Sequence, residues 1–228
     1  MMGPFKLDRE AMRQNNAHII FETVYRNDGI TKNELAAVTC LSLMAVSRIT
    51  NLLQEMDLVV EKESCENGKV GRPAKKVCIK RESIVSVGVS LDVDGISIGA
   101  ADPYGKLVQF ENHPLQPEGY KPEETLRELA DILRSFLAKH DLSGVPFVGL
   151  VMPGLIDQDR GYLRLASQLR WRDIPVASLL ESYEPLPKII LENDVKARAQ
   201  AENRFGSSRS YSSSVLFTIG SGIGAGII

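Results

Sequence analysis

The sequence predicts an α/β protein in two parts, a small helical module that ends in a β-hairpin and a larger lobe built on a mixed β-sheet. Two observations carry this prediction. Three helical patterns follow one another within the first 56 residues, and two short apolar strands come after them. From residue 83 onward, three consecutive strand patterns precede alternating helices and strands. We therefore divide the chain into residues 1–80 and residues 81–228.

Composition excludes several classes of protein. The 228 residues are 43% hydrophobic and 25% charged, as in ordinary globular proteins. No apolar run approaches the roughly 20 residues that cross a bilayer, and the first ten residues lack the apolar core of a signal peptide. The three cysteines (Cys40, Cys65 and Cys78) share no metal-ligand spacing. We expect a cytoplasmic protein with no membrane insertion, no metal site and no cofactor.

Charge is unevenly distributed along the chain, whose formal net charge is -2. Residues 1–80 hold 12 lysines and arginines against 10 carboxylates, whereas residues 81–228 hold 15 against 19. Five of these cations lie between Lys69 and Lys80, a stretch without a single acid. Such a segment is typical of phosphate contacts with nucleic acid, although on this feature alone a solvated linker is the better interpretation.

The first two helical patterns carry clear boundary signals. The first covers residues 8–26, with an apolar stripe of Met12, Ile19, Ile20 and Val24. The second opens with Thr31 and Glu34, spaced as a capping box in which each side chain bonds the backbone of the other residue, and it ends near Val38.

The third helix, residues 42–56, has two different faces. Val46, Ile49, Leu53 and Met56 fall on one face and are predicted to enter a core. The other face is short, polar and partly cationic, which suits a helix lying in the major groove of DNA. We predict DNA contacts from Ser42, Met44, Ala45, Ser47, Arg48 and Asn51. A purely structural three-helix cap is the alternative.

Two short strands, residues 58–60 and 77–79, flank a polar loop with Asn67-Gly68 at its turn. Three helices followed by such a hairpin make a winged helix-turn-helix. Because the capping box, the polar helix face and the basic loop agree, the sequence favours a DNA-binding module over a structural cap.

The larger part begins with strands 85–91 and 96–101, which Asp94-Gly95 joins as a tight hairpin, and a third strand follows at 106–110. Residues 113–122 read as a loop and 122–139 as an amphipathic helix. The remaining elements are strands 146–151, 188–191 and 215–219 and helices 176–182 and 195–205. This order predicts an actin-like lobe of the ribonuclease-H type.

The chain resembles the repressor branch of the ROK family (repressors, open reading frames and kinases). In the first part the resemblance rests on Leu35-Ala36, Leu41-Ser42, Val46-Ser47-Arg48-Ile49, Leu52-Leu53, Leu58-Val59 and Gly71-Arg72-Pro73. It implies that Arg72 enters an A·T-rich minor groove, where the negative potential attracts arginine. We therefore add Lys69, Gly71, Arg72 and Pro73 to the expected DNA contacts; a rigid interdomain hinge is the alternative for the triplet.

Three further matches lie in the lobe. They are Gly149-Leu150-Val151-Met152-Pro153-Gly154-Leu155-Ile156-Asp157, Leu191-Glu192-Asn193-Asp194-Val195 and Ile219-Gly220-Ser221-Gly222-Ile223-Gly224-Ala225-Gly226. The resemblance implies sugar binding by Gly154, Asn193 and Asp194. In the family's kinases the carboxylate aligned with Asp194 takes the proton from the sugar hydroxyl, the amide aligned with Asn193 bonds neighbouring hydroxyls, and the backbone at Gly154 lets the ring approach. An Asx helix cap is a second role for Asn193.

The phosphate-binding turn of the kinases is altered in this sequence. Their Asp-x-Gly-Gly-Thr-Lys aligns with residues 90–95, where Ser90 replaces the metal-orienting aspartate and Asp92-Val93-Asp94 replaces Gly-Gly-Thr. Two carboxylates would repel nucleotide phosphates, and valine disfavours a glycine turn. We therefore expect no ATP binding and no enzymatic activity. The family's zinc motif and its remaining sugar ligands are absent before Ile228, which falls within a strand, so we expect a chain truncated after the first actin-like lobe.

These observations lead to one expected function and two alternatives. We expect a transcriptional repressor of carbohydrate-use genes that binds a double-stranded operator as a homodimer or larger oligomer and responds to a sugar or sugar phosphate. The alternatives are an active ROK sugar kinase with a fused DNA-binding module, and a truncated module that binds DNA without responding to sugar. Two interpretations of Arg170 and Trp171 remain open. They lie at the edge of the sugar pocket, or they form an ordinary surface turn with a buried aromatic residue.

Overall fold

The computed structural model describes residues 9–27, 29–63, 75–83, 85–115, 121–183, 186–220 and 222–228. It divides into two compact units, within Met1–Ile84 and Val85–Ile228. Each unit is described separately below.

The first unit contains three helices and a small antiparallel sheet. Its elements are α1 (Arg9–Asn27), β1 (Ile30–Thr31), α2 (Lys32–Thr39), α3 (Leu43–Glu55), β2 (Val59–Glu63) and β3 (Lys75–Ile79), followed by a 3-10 turn at Arg81–Ser83. The strands pair in the order β1-β3-β2. The two-residue β1 is too short for a sequence pattern to reveal, and it joins the start of α2 to the hairpin.

The predicted helix caps of α2 and α3 are confirmed. The Glu34 backbone N–H donates to Thr31 Oγ1 at 3.2 Å, and the Thr31 N–H donates to Glu34 Oε2 at 2.8 Å. Cys40 ends α2 in the left-handed conformation with φ of 57°, and Ser42 then caps α3 by accepting from the Ala45 N–H. Only three residues separate the two helices.

The core of the first unit is apolar and is shared by all three helices. Its buried side chains are Ile20, Val24, Ile30, Leu35, Val46, Ile49, Leu53, Val59, Val77 and Ile79. The prediction of a buried Met56 is wrong: α3 ends at Glu55, the chain turns at Asp57 with a positive φ, and Met56 is 58% exposed. The stripe on α1 is also only half right, because Met12 and Ile19 are exposed.

The second unit is built on a mixed sheet, as the sequence predicts. Its elements are β4 (Ser86–Asp92), β5 (Gly95–Ala101), β6 (Leu107–Pro114), α4 (Pro122–Lys139), β7 (Phe147–Met152), β8 (Leu155–Asp157), β9 (Tyr162–Ala166), β10 (Trp171–Ile174), α5 (Val176–Glu181), β11 (Lys188–Asn193), α6 (Asp194–Phe205), β12 (Val215–Ile219) and β13 (Ile223–Ile227). The sheet has five strands, because the predicted strand at 215–219 pairs with a separate hairpin partner. The order across the sheet is β6-β5-β4-β7-β11. The first three strands form an antiparallel meander, and β7 and β11 lie parallel to β4.

Strand alternation places one face of this sheet in a large core. Alternate residues of β4, β5, β7 and β11 are buried against the apolar stripe of α4, in which Leu126, Leu129, Leu133 and Phe136 are at most 1% exposed. The parallel strands β4, β7 and β11 bring their carboxyl ends to the same edge of the sheet. That edge is where the loops that carry the predicted sugar-binding residues begin.

Two features of the second unit differ from the sequence prediction. Strand β6 continues through His113 to Pro114, opposite Ile96 and Gly95, where the sequence had predicted a loop. A second antiparallel sheet, β10-β9-β8, was not predicted at all. Trp171 on β10 is only 2% exposed and belongs to the core. Of the two interpretations of Trp171, the buried aromatic residue is therefore the correct one.

None of the described helices is by itself long and apolar enough to cross a membrane. Helices α2 and α3 pass that test of length and composition only as a pair, and the chain bends by 115° between them.

Candidate functional site

The outward face of α3 carries the residues for which the sequence predicts DNA contacts. Met44 is 83% exposed, and Ser42, Arg48 and Asn51 are also exposed. Ala45 and Ser47 are half-buried at the border with the core. Val46, Ile49 and Leu53 fix the helix from behind, because all three are buried. The helix therefore offers a largely polar surface from which the apolar side chain of Met44 protrudes.

A series of polar and charged contacts connects the outward face of α3 to the hairpin of β2 and β3. Lys32 Nζ lies 2.7 Å from Glu61 Oε1 on β2 and 3.5 Å from Asn51 Oδ1 on α3. Lys75 Nζ lies 3.6 Å from the other Glu61 oxygen. The hydrogen bond from Lys32 is the main reason that the pKa of Glu61 is below its ordinary value. Sequence reasoning missed Lys32 and Glu61, because they are 29 residues apart and only the fold brings them together.

Four predicted DNA contacts, Lys69, Gly71, Arg72 and Pro73, lie outside the described residues, as does the predicted Asn67-Gly68 turn.

The second unit has a cleft of about 630 Å³ at the carboxyl edge of its sheet. The β4–β5 turn, the loop before β8, the β9–β10 turn, the start of α6 and the β12–β13 hairpin surround it. Its polar lining consists of Asp92, Asp94, Ser167, Gln168, Asn193, Asp194, Arg198 and Thr218. The size is that of a small-ligand site, and the hydroxyl, amide and charged groups suit a polyhydroxylated ligand.

Asn193 and Asp194 meet in this cleft, at the junction of β11 and α6. The Asn193 Oδ1 accepts from the N–H groups of Val195 and Lys196 and so caps α6. Its Nδ2 donates to the Gly154 carbonyl oxygen at 3.0 Å and to Asp194 Oδ1 at 3.2 Å. The amide is therefore fully used by the protein, while Asp194 Oδ2 has no hydrogen-bond partner among the described residues.

Gly154 lines the same cleft, but close packing explains the glycine without a ligand. Its φ is 117°, a region that other residues rarely adopt. A Cβ here would lie 2.3 Å from the Leu165 carbonyl oxygen and 3.0 Å from the Ala166 Cα. The small size of this residue lets strand β9 approach, which is a reason that the sequence prediction did not include.

The β4–β5 turn brings two carboxylates to the cleft. Asp92 and Asp94 both line it, and Asp92 Oδ1 accepts from the Val93 N–H at 2.7 Å. With Asp194, the cleft thus has three carboxylates against the single described guanidinium of Arg198. This balance disfavours polyanionic ligands.

Ser167, Gln168, Arg198 and Thr218 also line the cleft but were not predicted as site residues. A signal existed for Arg198, which lies one helical turn after Asp194 and therefore on the same face. Ser167 and Gln168 lie in the β9–β10 turn and Thr218 lies in β12, so only the tertiary fold brings them to Asp194. Within the described residues, no group of three or more His, Cys, Asp and Glu side chains could hold a metal ion.

Comparisons with known proteins agree with this architecture. The ROK family matches residues 93–228 of the chain. A xylose repressor from Caldicellulosiruptor bescii is 28% identical over 219 residues, which are 95% of this chain and 54% of the repressor. The chain spans about half the length of the curated relatives it matches.

Two solved structures extend the comparison to three dimensions. A ROK family transcriptional regulator, described as a homologue of the Escherichia coli Mlc protein, superposes on 95% of this chain with a TM-score of 0.80 at 22% identity, over 55% of its own length. A ROK family glucokinase from Streptomyces griseus, in complex with glucose and AMPPNP, matches 64% of this chain and 44% of its own, with a TM-score of 0.56 and 27% identity. The second unit therefore has the actin-like mixed-sheet fold of these proteins.

Proposed function

The chain belongs to the ROK family, and from that premise we propose that it is a DNA-binding transcriptional repressor of carbohydrate-use genes that responds to a sugar or sugar phosphate. The xylose repressor with which it is 28% identical is named for such a role. That similarity covers 95% of the chain, whereas the similarity to the glucokinase covers only 64% of it.

The geometry of α2 and α3 carries the proposal. The two helices are joined by a three-residue turn and the chain bends by 115° between them. This lies within the roughly 90–120° of a DNA-binding helix-turn-helix. The sheet β1-β3-β2 would supply the wing, so that residues 1–80 form a winged helix-turn-helix and residues 81–228 the sugar-binding lobe.

In this arrangement α3 would lie in the major groove. Ser42, Met44, Ala45, Ser47, Arg48 and Asn51 would contact base edges and phosphates. Arg72 would enter the adjacent minor groove, as the sequence resemblance implies, with Lys69, Gly71 and Pro73 as further DNA contacts. A homodimer would read two half-sites one helical turn or a multiple apart.

The cleft of the second unit would hold the sugar. Asp194 Oδ2 is the acceptor best placed to bind a hydroxyl, because Asn193 holds the carboxylate from its other oxygen. Asn193 and Gly154 therefore shape the site and need not touch the ligand themselves. Release of the operator requires that the sugar bind one conformation of the protein more tightly than the other.

The proposal is tested by selecting binding sequences from a random double-stranded DNA library with the full chain, and then measuring affinity by fluorescence anisotropy. We expect an enriched sequence, a loss of at least tenfold in affinity for Arg48→Ala, and no change for Arg160→Ala in the second unit. Weakened binding with one member of a panel of sugars and sugar phosphates is the expected response. Absence of any enriched sequence would refute the repressor function.

A sugar kinase is the second candidate, and the similarity to the glucokinase favours it. We propose that the chain is not an enzyme, because Asp92 and Asp94 line the cleft at the turn that holds nucleotide phosphates in the kinases. Sugar-dependent release of ADP from ATP, absent in Asp194→Asn, would establish the kinase and refute this part of the proposal.

A further inference from the structure

Lys32 lies beside Asn51 in a way that fixes the orientation of the Asn51 amide. A lysine ammonium has three hydrogen-bond donors and no acceptor. At 3.5 Å from Lys32 Nζ, the amide must therefore turn its oxygen toward the lysine and its two N–H groups away from it. The reverse orientation would place N–H donors against a positive charge. Because Asn51 is exposed on α3, these N–H groups face outward.

Lys32 itself is held in place by Glu61. The Lys32 and Glu61 side chains are only 27% and 19% exposed, and 2.7 Å separates their charged atoms. Glu61 also attracts Lys75 from β3, so its carboxylate is anchored from two sides. The pKa of Glu61 lies below its ordinary value, so the carboxylate stays charged through the neutral range. The ammonium of Lys32 is thus a fixed feature of the surface beside Asn51.

We propose that Lys32, held by Glu61, restricts Asn51 to donating hydrogen bonds, so that Asn51 reads guanine and discriminates against adenine in the major groove. This inference rests on the proposed DNA-binding function. A free asparagine pairs with adenine by donating to N7 and accepting from the N6 amino group. With its oxygen turned toward Lys32, Asn51 presents its N–H groups and not its oxygen to that amino group. Guanine offers two acceptors, N7 and O6, and matches a group that only donates.

The base selected by Asn51 is measured by sequencing the DNA that each variant enriches from a random double-stranded library. The Asn51→Ala variant identifies the base pair that Asn51 contacts. Only at that base pair should the variant lose the base preference of the wild type. The wild-type chain should prefer guanine over adenine there by about tenfold, the lower range for one good base contact. In Lys32→Met the amide is free to turn, and adenine should become at least as frequent as guanine.

Two further variants distinguish an effect of the Asn51 amide orientation from effects of misfolding and of lost positive charge. Lys32→Arg keeps a cation that only donates and should retain the guanine preference. Lys62→Met removes an exposed cation from the same strand as Glu61 and should weaken binding without changing the preferred base.

Three results would overturn the inference. They are adenine at the Asn51 position in the wild-type selection, an unchanged guanine preference in Lys32→Met, and the same change in preference in Lys62→Met. All three leave sequence-specific binding intact and therefore leave the repressor function standing. If the wild-type chain enriches no sequence, the proposed function fails and the inference fails with it.

Discussion

The side-chain amide of Asn193 donates a hydrogen bond to the carbonyl oxygen of Gly154 over 3.0 Å, although the two residues are 39 positions apart. The same side chain caps α6 and holds one oxygen of Asp194. One amide thus fixes the loop after β7, the start of a helix and the carboxylate of the cleft. Its geometry makes Asn193 a positioning residue, and in the proposed function the ligand contact belongs to Asp194.

Replacement of Asn193 by alanine should destabilise the second unit. The variant loses the cap of α6 and leaves the Gly154 carbonyl without its donor, which together cost about 1–3 kcal/mol. Urea unfolding monitored by circular dichroism measures this loss. The control is Asn193→Ser, whose hydroxyl oxygen can still cap α6 but whose side chain is too short to replace the hydrogen bond to Gly154. Its unfolding midpoint should fall between those of the wild type and Asn193→Ala. An unchanged unfolding midpoint in Asn193→Ala would contradict the positioning role.

The sequence was sufficient for elements whose signals are local. The capping box of Thr31 and Glu34, the Ser42 cap and the stripe of α4 depend on neighbours within a few residues, and all three are found in the structure. The five strands of the mixed sheet could also be located, because they are apolar and separated by clear turns, although their number could not be predicted.

The features that could not be predicted from the sequence depend on contacts between residues far apart along the chain. The pairing of β1 with β3 joins residues 30 and 77, and two residues carry no periodicity. The sheet of β8, β9 and β10 is built from short strands, although Gly161, with φ of 60°, marks the turn between two of them. Lys32, Glu61 and Gln168 became candidate functional residues only through contacts across the fold.

Gly154→Ala should destabilise the protein strongly, whereas Gly149→Ala should not. A Cβ at Gly154 would lie 2.3 Å from the Leu165 carbonyl oxygen, and its φ of 117° disfavours alanine. A Cβ at Gly149 meets nothing within 4 Å. We expect a loss of about 2 kcal/mol or more for the first variant and a change below about 0.5 kcal/mol for the second. Equal unfolding midpoints for the two would show that β9 does not require the glycine.

Glu111 on β6 should make the stability of the second unit depend on pH in the acidic range. Its carboxylate accepts from Lys139 at 2.7 Å and lies 3.3 Å from both His140 Nε2 and His113 Nε2. The hydrogen bond from Lys139, followed by that from His140, lowers the pKa of Glu111 from 4.5 to about 2. Because the folded pKa is the lower one, the stabilisation is complete above pH 4.5 and is lost as the pH falls toward 2.

This pH dependence is measured as the urea midpoint between pH 6 and pH 2. The wild-type midpoint should fall more steeply below pH 4.5 than that of Glu111→Gln, because the glutamine has no carboxylate that could take up a proton there. Glu128→Gln removes one exposed carboxylate from α4 and should follow the wild type. Parallel curves for the wild type and Glu111→Gln would exclude a contribution from this ion-pair cluster.

The carboxylates of the cleft predict a preference for an unphosphorylated sugar. Asp92, Asp94 and Asp194 outnumber Arg198, so a phosphate dianion meets net repulsion. Isothermal titration should show tighter binding of the neutral sugar than of its phosphate at low salt, with a smaller difference at high salt. The double variant Asp92→Asn and Asp94→Asn should reduce that difference. If the wild type binds the phosphate ester more tightly than the neutral sugar, the attraction of Arg198 outweighs the repulsion from the three carboxylates.

Met44 should read the methyl group of a thymine. It is an apolar side chain, 83% exposed, near the start of α3, and the thymine methyl is the apolar feature of the major groove. Burial of one methyl group contributes about 0.8 kcal/mol, or roughly fourfold in affinity. Replacing the thymines of a selected DNA sequence one at a time by uracil should therefore weaken wild-type binding about fourfold at one position. Met44→Ala should bind thymine and uracil equally there.

Leu43 provides the matched control for this measurement. It is 48% exposed and adjacent to Met44, but it lies about 100° away around the helix. If α3 enters the groove with Met44 toward the bases, Leu43→Ala keeps the difference between thymine and uracil at the Met44 position. If Leu43→Ala removes it and Met44→Ala does not, α3 is rotated by about one residue from the orientation proposed here. Ser47, Arg48 and Asn51 would then turn with it, and the position read by Asn51 would move accordingly.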